Sequence, residues 1–369
     1  MTEYQGLIPE KQKPVKPALE HWRYGTFENG ERSVDPLLHY GCFTLGFEYP
    51  SIIDKVSQVM KNIKPEIAEV VGHGDLRLNQ VSYELQDRLF KVTGGYNSFY
   101  ALSGSDANEG AVKLASAYHH QRGNTNRTKI VSMTPSYHGS TYLTSSLGCD
   151  SLMNDPFYTL NQFEDVIRVD RDFTVKSVNW NEVGAIIVET CSYGDDMIPY
   201  TFDFWEKLTY IQQEFEVLII IDDIFMGGGK TGHYVGWKHL PIRPDIFTMG
   251  KAITGGFFPL SITLYNEKIK STLPKDFKWE HGFTYNFSIP GIVSAIEYLD
   301  IIHNQNLVGQ QPGLVNKARD IFLSSGYEII NEFGTFFVIK KFKFKTMYMI
   351  PLNADDMYFQ VLRQDLNRR

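Results

Sequence analysis

Val217-Leu218-Ile219-Ile220-Ile221-Asp222-Asp223 is the most apolar run of the chain, and it closes on two adjacent carboxylates. Five aliphatic residues in a row are too few to span a membrane and too uniform for a strand with one wet face. The run therefore reads as a strand buried on both faces. On either side of it, similar runs occupy residues 98–102, 129–133, 185–188 and 246–249, with helix-period text between most of them. That alternation predicts an α/β fold built on a mainly parallel sheet with helices on both faces. Amphipathic stretches at 52–61, 81–91 and 293–302 are expected helices, and a last one is expected near 355–366. Lys/Phe-rich, strand-like text before that last helix predicts a smaller α+β domain over residues 304–369. Residues 51–303 then form the large domain, and 1–50 an extended polar arm, over about the first 20 residues, plus part of the small domain.

Each strand gives way to a polar cluster. The chain leaves the runs into Ser103-Gly104-Ser105, then Pro135-Ser136-Tyr137-His138-Gly139, Glu189, Asp222-Asp223 and Gly250-Lys251. Ligands of open α/β sheets bind beyond the carboxyl ends of the strands, so these clusters are expected to converge on one crevice.

Composition narrows the class. The 369 residues are 43% hydrophobic and 21% charged, enough for a sizeable core and against long disorder. A net charge of −7 argues against nucleic acid as a partner. No run of 18 apolar residues occurs and the opening text, MTEYQGLIPEKQKP, has no signal-peptide stretch, so no membrane partner and a cytoplasmic location are expected. Cys42, Cys149 and Cys191 have no metal-ligand spacing, and no metal is expected.

Four features carry chemistry. Ser103-Gly104-Ser105-Asp106 opens a helical stripe, where unpaired N–H groups and a positive dipole end suit a phosphate; an ordinary helix capped by Ser105 or Asp106 is the alternative. Gly227-Gly228-Gly229-Lys230-Thr231 resembles a P-loop end, but Ile224 stands where that motif needs glycine, leaving a glycine turn. Asp222 is either a turn-capping carboxylate or the partner of a cationic heterocycle. At about 4 Å and an effective dielectric near 20, such a pair is worth roughly 4 kcal/mol, close to three pKa units. Lys251, set in Thr248-Met249-Gly250-Lys251-Ala252-Ile253-Thr254-Gly255-Gly256, is either a surface lysine or a Schiff-base amine in a desolvated pocket.

In combination these motifs resemble the class III aminotransferases, pyridoxal 5′-phosphate enzymes of fold type I. The matching text is SGSDANEGAVKLA from Ser103, YHGST from Tyr137, IIVET from Ile186, LIIIDDIFMGGGKTG from Leu218, PDIFTMGKAITGGFFPLS from Pro244 and HGFTYN from His281. Within the class the text around Lys251 and Thr284 is similar to the biotin-pathway branch, the adenosylmethionine–8-amino-7-oxononanoate aminotransferases. The resemblance implies a seven-stranded sheet and a homodimer with shared active sites. It also implies transfer of an amino group from a small-molecule amino donor to a carbonyl acceptor. Lys251 would hold pyridoxal 5′-phosphate as a Schiff base and shuttle a proton, and Asp222 would pair with the ring nitrogen. Gly104, Ser105 and Asp106 would hold the phosphate, Tyr137 would stack on the ring, Glu189 would organise the pocket, and Thr284 would reach the neighbouring subunit's phosphate. Asp223 takes the place of the family's usual Glu, with its charge kept.

The resemblance also has departures. Phe225 stands where many members have a Gln, and the branch's adjacent tryptophans fall on Tyr40 and Gly41. Tyr40 and Tyr24 are the expected substrate-pocket residues. The family commonly draws a carboxylate-binding arginine from its C-terminal domain, yet none lies between Arg319 and Arg363. Residues 340–345 alternate Lys and Phe there and predict one strand with a solvated face. The chain is shorter than typical members, with the loss expected at both ends. An aminomutase of the glutamate-1-semialdehyde type and a catalytically retired dimeric homologue are the alternative readings.

Overall fold

The computed structural model describes residues 21–28, 30–62, 80–148, 164–193, 196–277, 279 and 281–368; the expected arm over residues 1–20 and Cys149 lie outside them. The central sheet has seven strands: β4 (Asn97–Ala101), β5 (Lys129–Thr134), β6 (Val166–Asp170), β7 (Val183–Glu189), β8 (Leu218–Asp222), β9 (Ile246–Met249) and β10 (Ser261–Tyr265). Their order is β4-β10-β9-β8-β7-β5-β6. β10 runs antiparallel to both neighbours and every other pairing is parallel. The five expected strands are present to within two residues. β6 and β10 are additions to the sequence reading.

Strand alternation explains how the sheet is covered. Ile219 and Ile221 face a core shared with Trp205 and Leu208 of α5 (Phe202–Phe215), whereas Leu218 and Ile220 face one shared with Ala111 and Leu114 of α3 (Gly104–Gln121). A uniformly aliphatic strand is what burial on both faces requires. The first core also takes in α1 (Pro50–Asn62), α2 (Gln80–Thr93) and α7 (Ile289–Asn304), with α4 (Tyr142–Leu147) and α6 (Glu267–Thr272) packed at the second. Trp205 is 1% exposed and packs edge-on against Phe204 and Tyr200, at 5.3 and 5.5 Å between centroids. Trp205→Ala leaves a large cavity under β8 and is expected to cost about 3–4 kcal/mol of stability, read as a lower urea midpoint.

A second core joins the two ends of the chain. Trp22, Tyr24 and Val34 come from a small antiparallel sheet of β1 (His21–Trp22), β2 (Gly25–Glu28) and β3 (Glu31–Val34). They pack on Phe322 of α8 (Leu307–Ser324), on Tyr358 of α9 (Asp356–Arg368) and on a C-terminal sheet. That sheet consists of β11 (Glu328–Phe333), β12 (Phe336–Lys341) and β13 (Phe344–Met349), all antiparallel. Asp365 of α9 ties the ends together by accepting Ser33 Oγ at 3.0 Å and the Val34 amide at 2.8 Å. Residues 340–345 correct the sequence reading. They form a hairpin rather than one strand, since Lys341 pairs with Phe344 and the chain turns at Phe342, whose φ is +55°. Among the described residues no helix is long and apolar enough to cross a membrane, and no cluster of His, Cys, Asp and Glu could hold a metal ion.

Candidate active site

The carboxyl ends of β7, β8 and β9 lie side by side, with Glu189 in register with Asp222 and Asp222 with Thr248. They open, with the start of α3, onto a cavity of about 480 Å³ lined by Gly104, Ser105, Tyr137, Glu189, Asp222 and Lys251, among others. The crevice expected from the strand-end clusters is therefore present.

Asp222 is 6% exposed and firmly held. Its Oδ2 accepts Asn108 Nδ2 at 2.7 Å and lies 2.9 Å from His138 Nδ1, while its Oδ1 accepts the Ile224 amide at 3.1 Å. Asn108 is itself fixed: it donates to the His138 carbonyl at 2.8 Å and accepts Thr248 Oγ1 at 2.8 Å. Asn108 lies one turn beyond Gly104 on α3, the helical spacing that brings both to one face. Neither Asn108 nor His138 was singled out from the sequence, although both stand inside the quoted motifs.

Lys251 follows β9 in a left-handed backbone conformation, φ +51°, at the start of a short 3₁₀ turn. Such strain in a residue with a side chain persists only where its surroundings enforce it, commonly at functional sites. Its Nζ sits 4.6 Å above the Phe225 ring. Burial holds its pKa below the usual lysine value, opposed by the negative potential of Cys42, Asp222 and Glu189. Lys230 in the glycine turn is fully buried too, its pKa lowered to about 7 chiefly by burial. It reaches Gly41 O at 3.4 Å and does not line the cavity.

At the start of α3 the cap is Ser103, not Ser105 or Asp106. Ser103 Oγ accepts the Asp106 amide at 3.2 Å and the Asp106 carboxylate accepts the Ser103 amide at 3.1 Å, closing a capping box. Asp106 is thus spent on the helix end and does not line the cavity. Ser105 does line it, and its Oγ accepts the Ser140 amide at 3.1 Å, which leaves the hydroxyl hydrogen free to donate.

Other expected site residues are distributed differently. Tyr40 stands on the cavity wall, 61% exposed. Tyr24 does not: it is 1% exposed in the small core and donates from its hydroxyl to Asn353 O at 2.7 Å. Thr284 is exposed and away from this chain's cavity. Asp223 is fully buried, accepting Thr190 Oγ1 and the Gly236 amide at 2.6 Å each, and burial raises its pKa to about 7 against the pull of those hydrogen bonds and of Lys230. None of Lys340, Lys341, Lys343 and Lys345 lines the cavity; Lys345 pairs with Asp196 instead.

The comparisons with known proteins agree with this geometry. The family described as aminotransferase class III matches residues 23–332. An uncharacterized aminotransferase, y4uB, of Sinorhizobium fredii is 30% identical over 61% of this chain and 54% of its own length. Gamma aminobutyrate transaminase 2 of Solanum lycopersicum is 26% identical, with 76% and 66% covered. Acetylornithine aminotransferase of Haemophilus ducreyi is 27% identical, with 70% and 63% covered. The chain thus spans between about half and two thirds of these relatives' length. The fold matches a Bacillus anthracis aminotransferase (TM-score 0.79, 18% identity, 92% and 90% covered) and an omega-aminotransferase from Paracoccus denitrificans (TM-score 0.80, 17% identity, 94% and 90% covered). With the matched segment running from the first small sheet through the strand-end cavity to β11, the chain belongs to the class III aminotransferases.

Proposed function

We propose that this chain is a pyridoxal 5′-phosphate-dependent aminotransferase that takes an amino group from a terminal primary amine and passes it to a carbonyl acceptor. One observation carries the reading: Lys251 Nζ and a clamped Asp222 carboxylate face one cavity that also receives the start of an 18-residue helix. The cofactor of the family suits these residues. Beyond its contacts with Asn108, His138 and the Ile224 amide, Asp222 has no lysine or arginine ion pair among the described residues, so a cationic ring nitrogen would meet a buried, firmly held carboxylate. Gly104 lines the cavity at the start of α3, where a Cβ would crowd Ile224 at 3.0 Å, and the amides of α3 with Ser105 Oγ suit a phosphate.

When bound, pyridoxal phosphate supplies an electron-withdrawing ring that takes up the electron pair left at the substrate carbon. The residues do the rest. Lys251 Nζ would hold the cofactor and, as a free amine, would take the proton from the substrate carbon. Its burial favours the neutral amine that this step needs. Asp222 would keep the ring nitrogen charged, and Tyr137, which lines the cavity, would pack against the ring. Exposed Thr284 serves the site of a second copy, which makes the working enzyme a homodimer.

The relatives' names, γ-aminobutyrate and acetylornithine, both describe molecules with a terminal primary amine, which supports that donor class. An 8-amino-7-oxononanoate-type acceptor has less support. Gly41, at φ +78°, takes the place of the second tryptophan of that branch, so that part of the branch's pocket wall is not supplied here.

Purified protein is expected to take up pyridoxal phosphate, absorb visible light and lose that band on borohydride treatment. It should turn over only when both a donor and an acceptor are supplied. A colourless protein that does not retain the cofactor, or turnover of one substrate alone, would refute this reading. Gly139 supplies a second check. Its φ is +128° and a Cβ there would stand 2.2 Å from Ser105 Oγ. Gly139→Ala is therefore expected to displace Ser105 and weaken cofactor affinity about 10- to 100-fold in an absorbance titration.

A further inference from the structure

Glu189 ends β7 inside the cavity and is 5% exposed. Its Oε1 accepts the Tyr193 amide at 3.3 Å and the Tyr137 backbone also lies against the carboxyl, whereas Oε2 is buried with no well-formed hydrogen bond and no ion-pair partner among the described residues. A buried carboxylate oxygen left in this state is costly unless a ligand supplies what is missing. Burial, and then the nearby Asp222, push its pKa well above the ordinary carboxylate range. A cation arriving at Oε2 would reverse that shift.

The rest of the cavity points the same way. Among its described lining residues the basic side chains are Lys251, committed to the chemistry, and His138, turned onto Asp222. No arginine is among the described residues that line it. Arg319 is engaged by Glu332 and Arg368 by Glu31, both in the small-domain region. Among the described residues of this chain a substrate carboxylate would thus meet no uncommitted basic side chain, and a substrate ammonium would meet a carboxylate without a lysine or arginine partner beside aromatic faces. Tyr193 and Phe225 pack there with centroids 5.1 Å apart, a surface suited to a cation.

We propose that Glu189 is the specificity-determining residue for a donor with a second positive charge, an α,ω-diamine or longer polyamine, whose distal ammonium is received by Glu189 Oε2 against Tyr193 and Phe225. This rests on the aminotransferase reading and names its substrate class.

The test compares three four-carbon donors on the holoenzyme with a common carbonyl acceptor: 1,4-diaminobutane, 1-aminobutane and 4-aminobutanoate. Wild type is expected to favour the diamine over both others in kcat/KM by at least 10-fold. In Glu189→Gln the ratio of diamine to monoamine kcat/KM is expected to fall about 100-fold, mainly through KM. The ratio separates recognition from a structural role, which would lower both substrates together, and the wild-type preference stands even where the variant folds poorly. Turnover without diamine preference, preference for 4-aminobutanoate, or an unchanged ratio in Glu189→Gln overturns the assignment while leaving the aminotransferase reading intact. A holoenzyme that turns over none of the three overturns both.

Discussion

Lys251→Ala is expected to lower turnover at least ~10⁴-fold, because in the proposed function one side chain serves both as the amine that holds the cofactor and as the base at the substrate carbon. No neighbouring group can stand in. Lys230 is the other buried lysine nearby, but its Nζ points to Gly41 O and it does not line the cavity. His138 is occupied by Asp222, and the Glu189 carboxyl is pushed by burial toward its neutral form, a poor base. The variant should still bind pyridoxal phosphate through Asp222 and the α3 end, without the borohydride-sensitive band. Stopped-flow absorbance of the donor half-reaction gives the measurement. More than one tenth of wild-type turnover in Lys251→Ala would place the chemistry on another residue.

The sequence disclosed those parts of the molecule in which local pattern and chemistry coincide. Five short, mainly apolar runs became strands, most plainly at 185–188 and 217–221, where burial on both faces leaves no polar alternation to confuse them. β10 escaped because Ser261 and Thr263 face inward, Thr263 Oγ1 being satisfied by Ala107 O at 2.7 Å, so its text resembles a loop. β6 is a short edge strand carrying Arg168, and its half-buried pattern gives little signal. The turn at Phe342 has no glycine, asparagine or aspartate to announce its positive φ, so two short strands read as one.

The site divides in the same manner. Lys251 and Asp222 stand at strand ends in distinctive text, and their meeting results from the parallel sheet. The roles of Asn108 and His138 depend on contacts spanning 114 and 84 residues, which single-sequence pattern does not encode. Tyr24 illustrates the reverse. An aromatic with a hydroxyl looks like a pocket residue, but a backbone carbonyl 329 positions away satisfies the hydroxyl inside a core. Glu189 could be located from the sequence, yet the state of its Oε2 depends on which described side chains the fold brings around the cavity.

Asp222→Asn is expected to reduce the donor half-reaction about 10³-fold, more than its single-atom change suggests. The carboxylate's attraction for a ring cation, roughly 4 kcal/mol at about 4 Å, is lost outright. The hydrogen-bond frame compounds that loss. Oδ1 can still accept the Ile224 amide, but an amide nitrogen in place of Oδ2 would confront Asn108 Nδ2, a donor whose position is fixed by Thr248 and the His138 carbonyl. His138 Nδ1, 2.9 Å away, would have to present its unprotonated face to such a group, and its Nε2 is already buried without a partner. Either the imidazole changes tautomer or the asparagine swings out of the site, and each moves the anchor of the ring. The rate loss should therefore come with weaker cofactor retention, measurable by dialysis against buffer and by absorbance. Wild-type cofactor affinity together with a rate within 10-fold of wild type would show that Asp222 only caps the turn after β8.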